Sequence, residues 1–164
     1  MLYHCNSQMI SIAFICTANR IRSLMAHAIF IEEARKRSLA ADVYSAGTLD
    51  FTDQPPLDET TRTCLHFQTP PPKTTPTWVR QLPLESIERF FVMEQNHARA
   101  LISEHGIDEA RISLLGSFDP HHRGEEIADP FFSYNEVAYR RAYEQIRDCI
   151  IAYLESIAEP APTR

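Results

Sequence analysis

Paired cysteines are missing from this 164-residue chain: Cys5, Cys16, Cys64 and Cys149 lie far apart, with no CxxC pair. That spacing fits neither a disulfide scaffold nor a zinc site, so no metal is expected. Long apolar runs are missing too, since none approaches the roughly 20 residues that cross a bilayer. The opening stretch Met1–Met9 has no positive n-region, and the apolar segment after it is short and interrupted, unlike a secretory signal. These absences point to a cytoplasmic protein with no membrane partner. An excess of positive charge is also lacking. The formal net charge is −6, whereas a general nucleic-acid binder needs surplus Lys and Arg to meet phosphate backbones. Any anion site must be a local positive pocket on an acidic protein.

What is present is ordinary globular material. Hydrophobic residues make up 44% and charged residues 23% of the chain. The length favours one domain large enough to bury a substantial core. Residues 10–157 read as that domain, 1–9 as an extension with Met9 an alternative start, and 158–164 as a tail. No internal repeat occurs.

Along the domain, strand and helix patterns alternate. Strands are predicted at Ile10–Ile15, Asp42–Ala46, Arg89–Met93 and Arg111–Leu115. Helices are predicted at Leu24–Lys36, Leu57–Phe67, Asn96–Glu104 and Asn135–Ile157. The basic cluster Arg35-Lys36-Arg37 suits a helix C-terminus, and the Pro/Thr-rich stretch Gln68–Pro76 a surface loop. Strands separated by helices imply right-handed crossovers and a parallel sheet covered on both sides. The expected fold is a three-layer α/β/α sandwich on four parallel strands, flavodoxin-like and doubly wound. Ligands in such sheets bind beyond the carboxyl ends of the strands.

Cys16 stands at one of those carboxyl ends. The stretch Cys16-Thr17-Ala18-Asn19-Arg20-Ile21-Arg22-Ser23 joins the first strand to the first helix. A loop entering a helix turns backbone N–H groups inward, and the helix N-terminus adds partial positive charge. Such a cradle binds a tetrahedral dianion and favours the thiolate of a cysteine held within it. Arg22 can grip two phosphate oxygens with its planar fork. Ser23 can donate to the sulfur, which matters most when the thiolate must leave again. These parts suit a phosphatase that passes through a phosphocysteine. That chemistry also needs one carboxyl group, first as general acid and then as general base. Asp129, in Ala128-Asp129-Pro130-Phe131-Phe132, is the candidate, with aromatics beside it for a substrate slot. Asp119, in Asp119-Pro120, competes but lacks the pair of aromatics that follows Asp129-Pro130. The adjacent His121 and His122 point apart and read as a solvated loop.

These residues resemble the low-molecular-weight protein tyrosine phosphatases over roughly Ile10 to Leu154. The family's phosphate loop, C-x-G-N-x-C-R-S, corresponds to Cys16–Ser23. Tyr44-Ser45-Ala46-Gly47-Thr48 matches its serine-containing strand end. Phe118-Asp119-Pro120 and Asp129-Pro130-Phe131-Phe132 match its two late Asp-Pro elements in order and spacing. The resemblance implies Cys16 as nucleophile, Arg22 as phosphate clamp and Asp129 as general acid. It implies Asn19 and Ser45 as supports of the loop, and Phe51, Phe131 and Phe132 as walls of the cleft. It further implies a phosphotyrosine protein or small aryl phosphate as substrate, inorganic phosphate as product, and no cofactor.

Departures from the family pattern carry their own expectations. Ala18 replaces a glycine and would be strained if that position needs a positive φ. Ile21 replaces a second loop cysteine, which removes one route to a protective disulfide. Arg20 replaces a commonly apolar residue, and either favours substrates with additional negative charge or lies in solvent. Thr77 stands where some relatives carry a histidine of the loop-support network. Two other functions compete. A thioredoxin-linked arsenate reductase needs two further relay cysteines, for which only Cys64 is near the right region. A non-catalytic phosphate-binding relative would keep the loop without turnover.

Overall fold

The computed structural model describes residues 9–72 and 75–158. The expected extension over 1–9 and tail over 158–164 fall, apart from Met9 and Ala158, outside the described residues, as does Cys5. Eight regular elements alternate: β1 (Ile10–Cys16), α1 (Arg22–Lys36), β2 (Ala41–Gly47), α2 (Asp58–His66), β3 (Arg89–Val92), α3 (Gln95–His105), β4 (Ile112–Leu114) and α4 (Glu136–Ala158). All strand pairs are parallel, in the order β2-β1-β3-β4. This is the expected three-layer, flavodoxin-like arrangement. The chain leaves β1 toward β2 and then returns to β3 on β1's other side. The carboxyl end of β1 therefore lies at the switch in strand order, where a crevice opens.

Strand periodicity divides the core into two halves. Ile12 and Phe14 point to one face with Phe91, packing against Met25, Ile29 and Phe30 of α1 and Tyr143, Ile146 and Ile150 of α4. Ala13 and Ile15 point to the other, with Phe90, Val92 and Leu101 of α3. The first face is held by aromatic contacts: Phe14 lies 5.7 Å from Phe30 and 5.6 Å from Phe91, and Phe91 lies 4.8 Å from Tyr153. Since β1 is buried on both faces, its apolar run is nearly continuous, as expected for the centre of a parallel sheet. β1 is therefore a fixed platform for whatever follows Cys16.

Helix ends follow the expected chemistry. Arg35 and Lys36 close α1 and pair with Glu32 and Glu33 one turn earlier, at 2.7 and 2.8 Å. Gly106 ends α3 at φ 65° and returns its N–H to the carbonyls of Ile102 and Leu101. The long segment from Phe118 to Pro130 is bracketed by 3₁₀ turns at Leu115–Phe118 and Pro130–Ser133. Among the described residues no helix is long and apolar enough to cross a membrane.

Candidate active site

From Cys16 the chain folds into a tight loop and enters α1 at Arg22, two residues earlier than its periodicity indicated. Ile21 occupies the N-cap position and supplies no side-chain cap, which leaves first-turn N–H groups for an anion. Asn19 is the residue with positive φ, at 54°. Ala18 is not in that region, so the strain expected there does not arise. Asparagine tolerates the left-handed region better than most residues because its short amide bonds locally.

The Asn19 side chain organises the loop from within. Its Nδ2 donates to Ser23 Oγ at 2.7 Å, and its Oδ1 accepts the backbone N–H of Thr77 at 2.8 Å. The support from position 77 is thus a main-chain bond. Ser23 Oγ lies 3.0 Å from Cys16 Sγ. Once the sulfur is ionised only the hydroxyl can donate, and Asn19 already fills one of its lone pairs. The Asn19 N–H also points at the sulfur, at 3.3 Å. Ser45 meets His27 of α1, with Oγ 2.9 Å from Nδ1. Beneath the loop, Gly47 ends β2. A Cβ there would stand 2.6 Å from the Thr17 carbonyl oxygen and 2.8 Å from the Ala18 carbonyl carbon. Only glycine lets β2 approach so closely, and Thr48 and Leu49 continue the contact by donating to the carbonyls of Cys16 and Thr17.

Arg22 is buried, at 2% exposure. One Nη1 hydrogen goes to Glu94 and the other to the Ile127 carbonyl at 2.8 Å; one Nη2 hydrogen goes to Asp129 Oδ2 at 3.2 Å. Among its five donors this leaves Nε–H and one Nη2–H, a pair suited to two oxygens of one anion. Asp129 is itself held, because its Oδ1 accepts the Phe131 N–H at 3.1 Å and caps the turn Pro130–Ser133. A cavity of about 230 Å³ opens above the loop, lined by Cys16, Arg22, Asp129, Phe51, Leu57, Phe131 and Phe132 among others. Thr17, Ala18, Arg20 and Ile21 complete its floor and side.

The competing carboxylate is placed elsewhere. Asp119 is buried and does not line this cavity. Burial pushes its carboxyl up, but N–H donors from His122 and His121 and the Gln145 amide outweigh this and hold it below the usual range. It is a structural anchor between the late loop and α4. Cys64 and Cys149 are fully buried in the core, and burial pushes both thiols up to about 12. Inert thiols of this kind make no disulfide relay, so the arsenate reductase reading has no support.

Two residues of the site were not singled out in the sequence. Glu94 follows β3 and reaches Arg22, and His97, in the first turn of α3, touches the loop. The backbone N–H of Glu94 donates to His97 Nδ1 at 3.1 Å. That fixes the proton on Nε2, which donates to Thr17 Oγ1 at 2.9 Å. Burial first, then the nearby Arg22 charge, lowers the His97 pKa to about 4, against opposing pulls from Asp129 and Glu126. The available signal was positional: both residues follow the strand beside β1, on the same carboxyl edge.

Comparisons with known proteins bear on the family and the fold. The family model for low molecular weight phosphotyrosine protein phosphatase matches residues 11–162. Low molecular weight protein-tyrosine phosphatase A of Mycobacterium tuberculosis is 31% identical over 132 residues, covering 77% of this chain and 78% of that protein. The human low molecular weight phosphotyrosine protein phosphatase is 25% identical over 150 residues, covering 88% and 94%. Among solved structures, a low molecular weight phosphotyrosine phosphatase from Vibrio cholerae O395 superposes with a TM-score of 0.80 at 25% identity, covering 92% of this chain and 97% of that one. The YwlE arginine phosphatase from Geobacillus stearothermophilus shares the fold, with a TM-score of 0.75 at 20% identity over 90% and 92%.

Proposed function

The chain belongs to the low molecular weight phosphotyrosine protein phosphatase family, and on that basis we propose that it hydrolyses phosphotyrosine and similar aryl phosphomonoesters in the cytoplasm. What carries this reading is the meeting of Cys16, Arg22 and Asp129 on one cavity whose remaining walls are largely apolar and aromatic. An aryl ring fits between Phe51, Leu57, Phe131 and Phe132 while its phosphate rests on the loop.

In the first step the Cys16 thiolate attacks phosphorus and the bond to the aryl oxygen breaks. The Asp129 carboxyl gives its proton to that oxygen, and a neutral phenol leaves. Charge on the equatorial oxygens meets the two open Arg22 donors and the N–H groups entering α1. In the second step Asp129, now a carboxylate, takes a proton from water as its oxygen attacks phosphorus. The sulfur–phosphorus bond breaks, inorganic phosphate is released, and the departing thiolate receives the Ser23 hydroxyl and the Asn19 N–H. Glu94 and the Ile127 carbonyl hold Arg22 in register throughout.

The test is hydrolysis of 4-nitrophenyl phosphate in EDTA between about pH 5 and 7. Cys16→Ser is expected to abolish turnover, and Asp129→Ala to lower kcat by about 10²–10⁴-fold, the usual worth of a positioned acid. Turnover that survives Cys16→Ser refutes the phosphocysteine. Freshly reduced protein that binds phosphate or vanadate without turnover identifies the phosphate-binding relative instead.

A further inference from the structure

We propose, building on the phosphatase reading above, that Arg20 selects substrates carrying a second anionic group beside the aryl phosphate. Beyond Arg22 and Asp129, Arg20 is the one charged side chain of the cavity lining; Phe51, Leu57, Phe131, Phe132 and Ile21 are apolar. It is also fixed in place. Its Nε donates to the Pro55 carbonyl at 2.8 Å, and its own carbonyl accepts the Thr60 hydroxyl at 2.8 Å. These bonds tie the loop to the segment that enters α2, beside the cavity that Arg20 lines.

The contrast with Arg22 decides the role. Arg22 is neutralised by Glu94 and Asp129. Arg20, among the described residues, pairs with no carboxylate, and its four Nη donors are not engaged there. Glu59, whose charge acts on Tyr139 together with that of Arg20, lies 3.7 Å from Arg62 instead. A cation held by a neutral carbonyl on an otherwise apolar wall presents a planar fork that matches a carboxylate or a second phosphate. The protein's net charge of −6 supplies no general attraction for such a substrate, so the preference must come from this local charge. The same charge opposes a leaving group that is itself cationic, such as the guanidinium of phosphoarginine.

Two matched substrate pairs test this. One is a phosphotyrosine peptide flanked by aspartates and its asparagine counterpart. The other is 4-(carboxymethyl)phenyl phosphate and its methyl ester, whose phenols are nearly equal as leaving groups. For each pair the ratio of kcat/KM is read, since a ratio within one enzyme is insensitive to a general loss of activity. The wild type is expected to favour the anionic member by about tenfold, the scale of one charge pair in a half-exposed site. Arg20→Gln is expected to bring the ratio near one, and Arg20→Glu to invert it and to improve phosphoarginine relative to phosphotyrosine. Preference within the peptide pair alone identifies an acidic protein segment as the source of the anion, and preference within the small-molecule pair identifies a small anionic ester. A wild type that hydrolyses 4-nitrophenyl phosphate but gives ratios near one in both pairs refutes the role of Arg20 and leaves the phosphatase reading intact. Ratios that Arg20→Glu leaves unchanged do the same. Absence of turnover on every substrate removes the phosphatase reading, and this proposal with it.

Discussion

Replacing His97 by glutamine is expected to flatten the acid side of the stability profile. His97 is 2% exposed, and both ring nitrogens are committed: Nδ1 accepts from the Glu94 N–H, and Nε2–H donates to Thr17. A second proton would set N–H against N–H at Nδ1 and place a cation beside Arg22. Its pKa accordingly falls from 6.5 to about 4, with burial as the main cause. Between those values the unfolded chain binds a proton that the native protein refuses. Stability from this group is therefore complete above about pH 6.5 and is lost as pH falls toward 4. At about 1.4 kcal/mol per pH unit, the loss amounts to about 3 kcal/mol. Glutamine has no such titration. Urea unfolding of wild type and His97→Gln at steps from pH 7.5 to 4 isolates the effect, because the carboxylates common to both cancel in the difference. The stability of wild type relative to the variant should shrink by about 3 kcal/mol over that range. A difference constant to within about 0.5 kcal/mol would refute the reasoning and show that His97 accepts its proton without cost.

Two other perturbations bear on the loop itself. Gly47→Ala drives a Cβ to 2.6 Å from the Thr17 carbonyl oxygen; the loop must shift, and kcat/KM for 4-nitrophenyl phosphate should fall by about tenfold or more while phosphate inhibition weakens, with an unchanged profile counting against close contact. With Ile21 in place of a second loop cysteine and Cys64 and Cys149 buried as inert thiols, peroxide should carry Cys16 past sulfenic to sulfinic acid, seen as a gain of two oxygens on its peptide in a Cys5→Ser background. Full recovery of activity with a thiol reductant overturns that expectation.

Fold class and nucleophilic loop were both legible in the order of the amino acids. Strand and helix periodicities alternate so regularly from Ile10 to Ile157 that a parallel sandwich is the one arrangement burying each apolar face. Cys16, Arg22 and Ser23 lie within eight residues, where the chain alone dictates their neighbourhood. Asp129 was legible as a candidate, but its advantage over Asp119 rested on the aromatic pair that follows it until the fold turned one carboxylate toward Arg22 and buried the other against α4. Glu94 and His97 had no motif to announce them. They reach the loop because β3 pairs directly with β1, from 70 and more residues away. The position of the positive φ, at Asn19 rather than Ala18, was likewise settled by long-range bonds from Thr77 and by the approach of Gly47. Local chemistry is written in consecutive residues, whereas the partners that orient a buried charge are chosen by strand order, and strand order exists only in three dimensions.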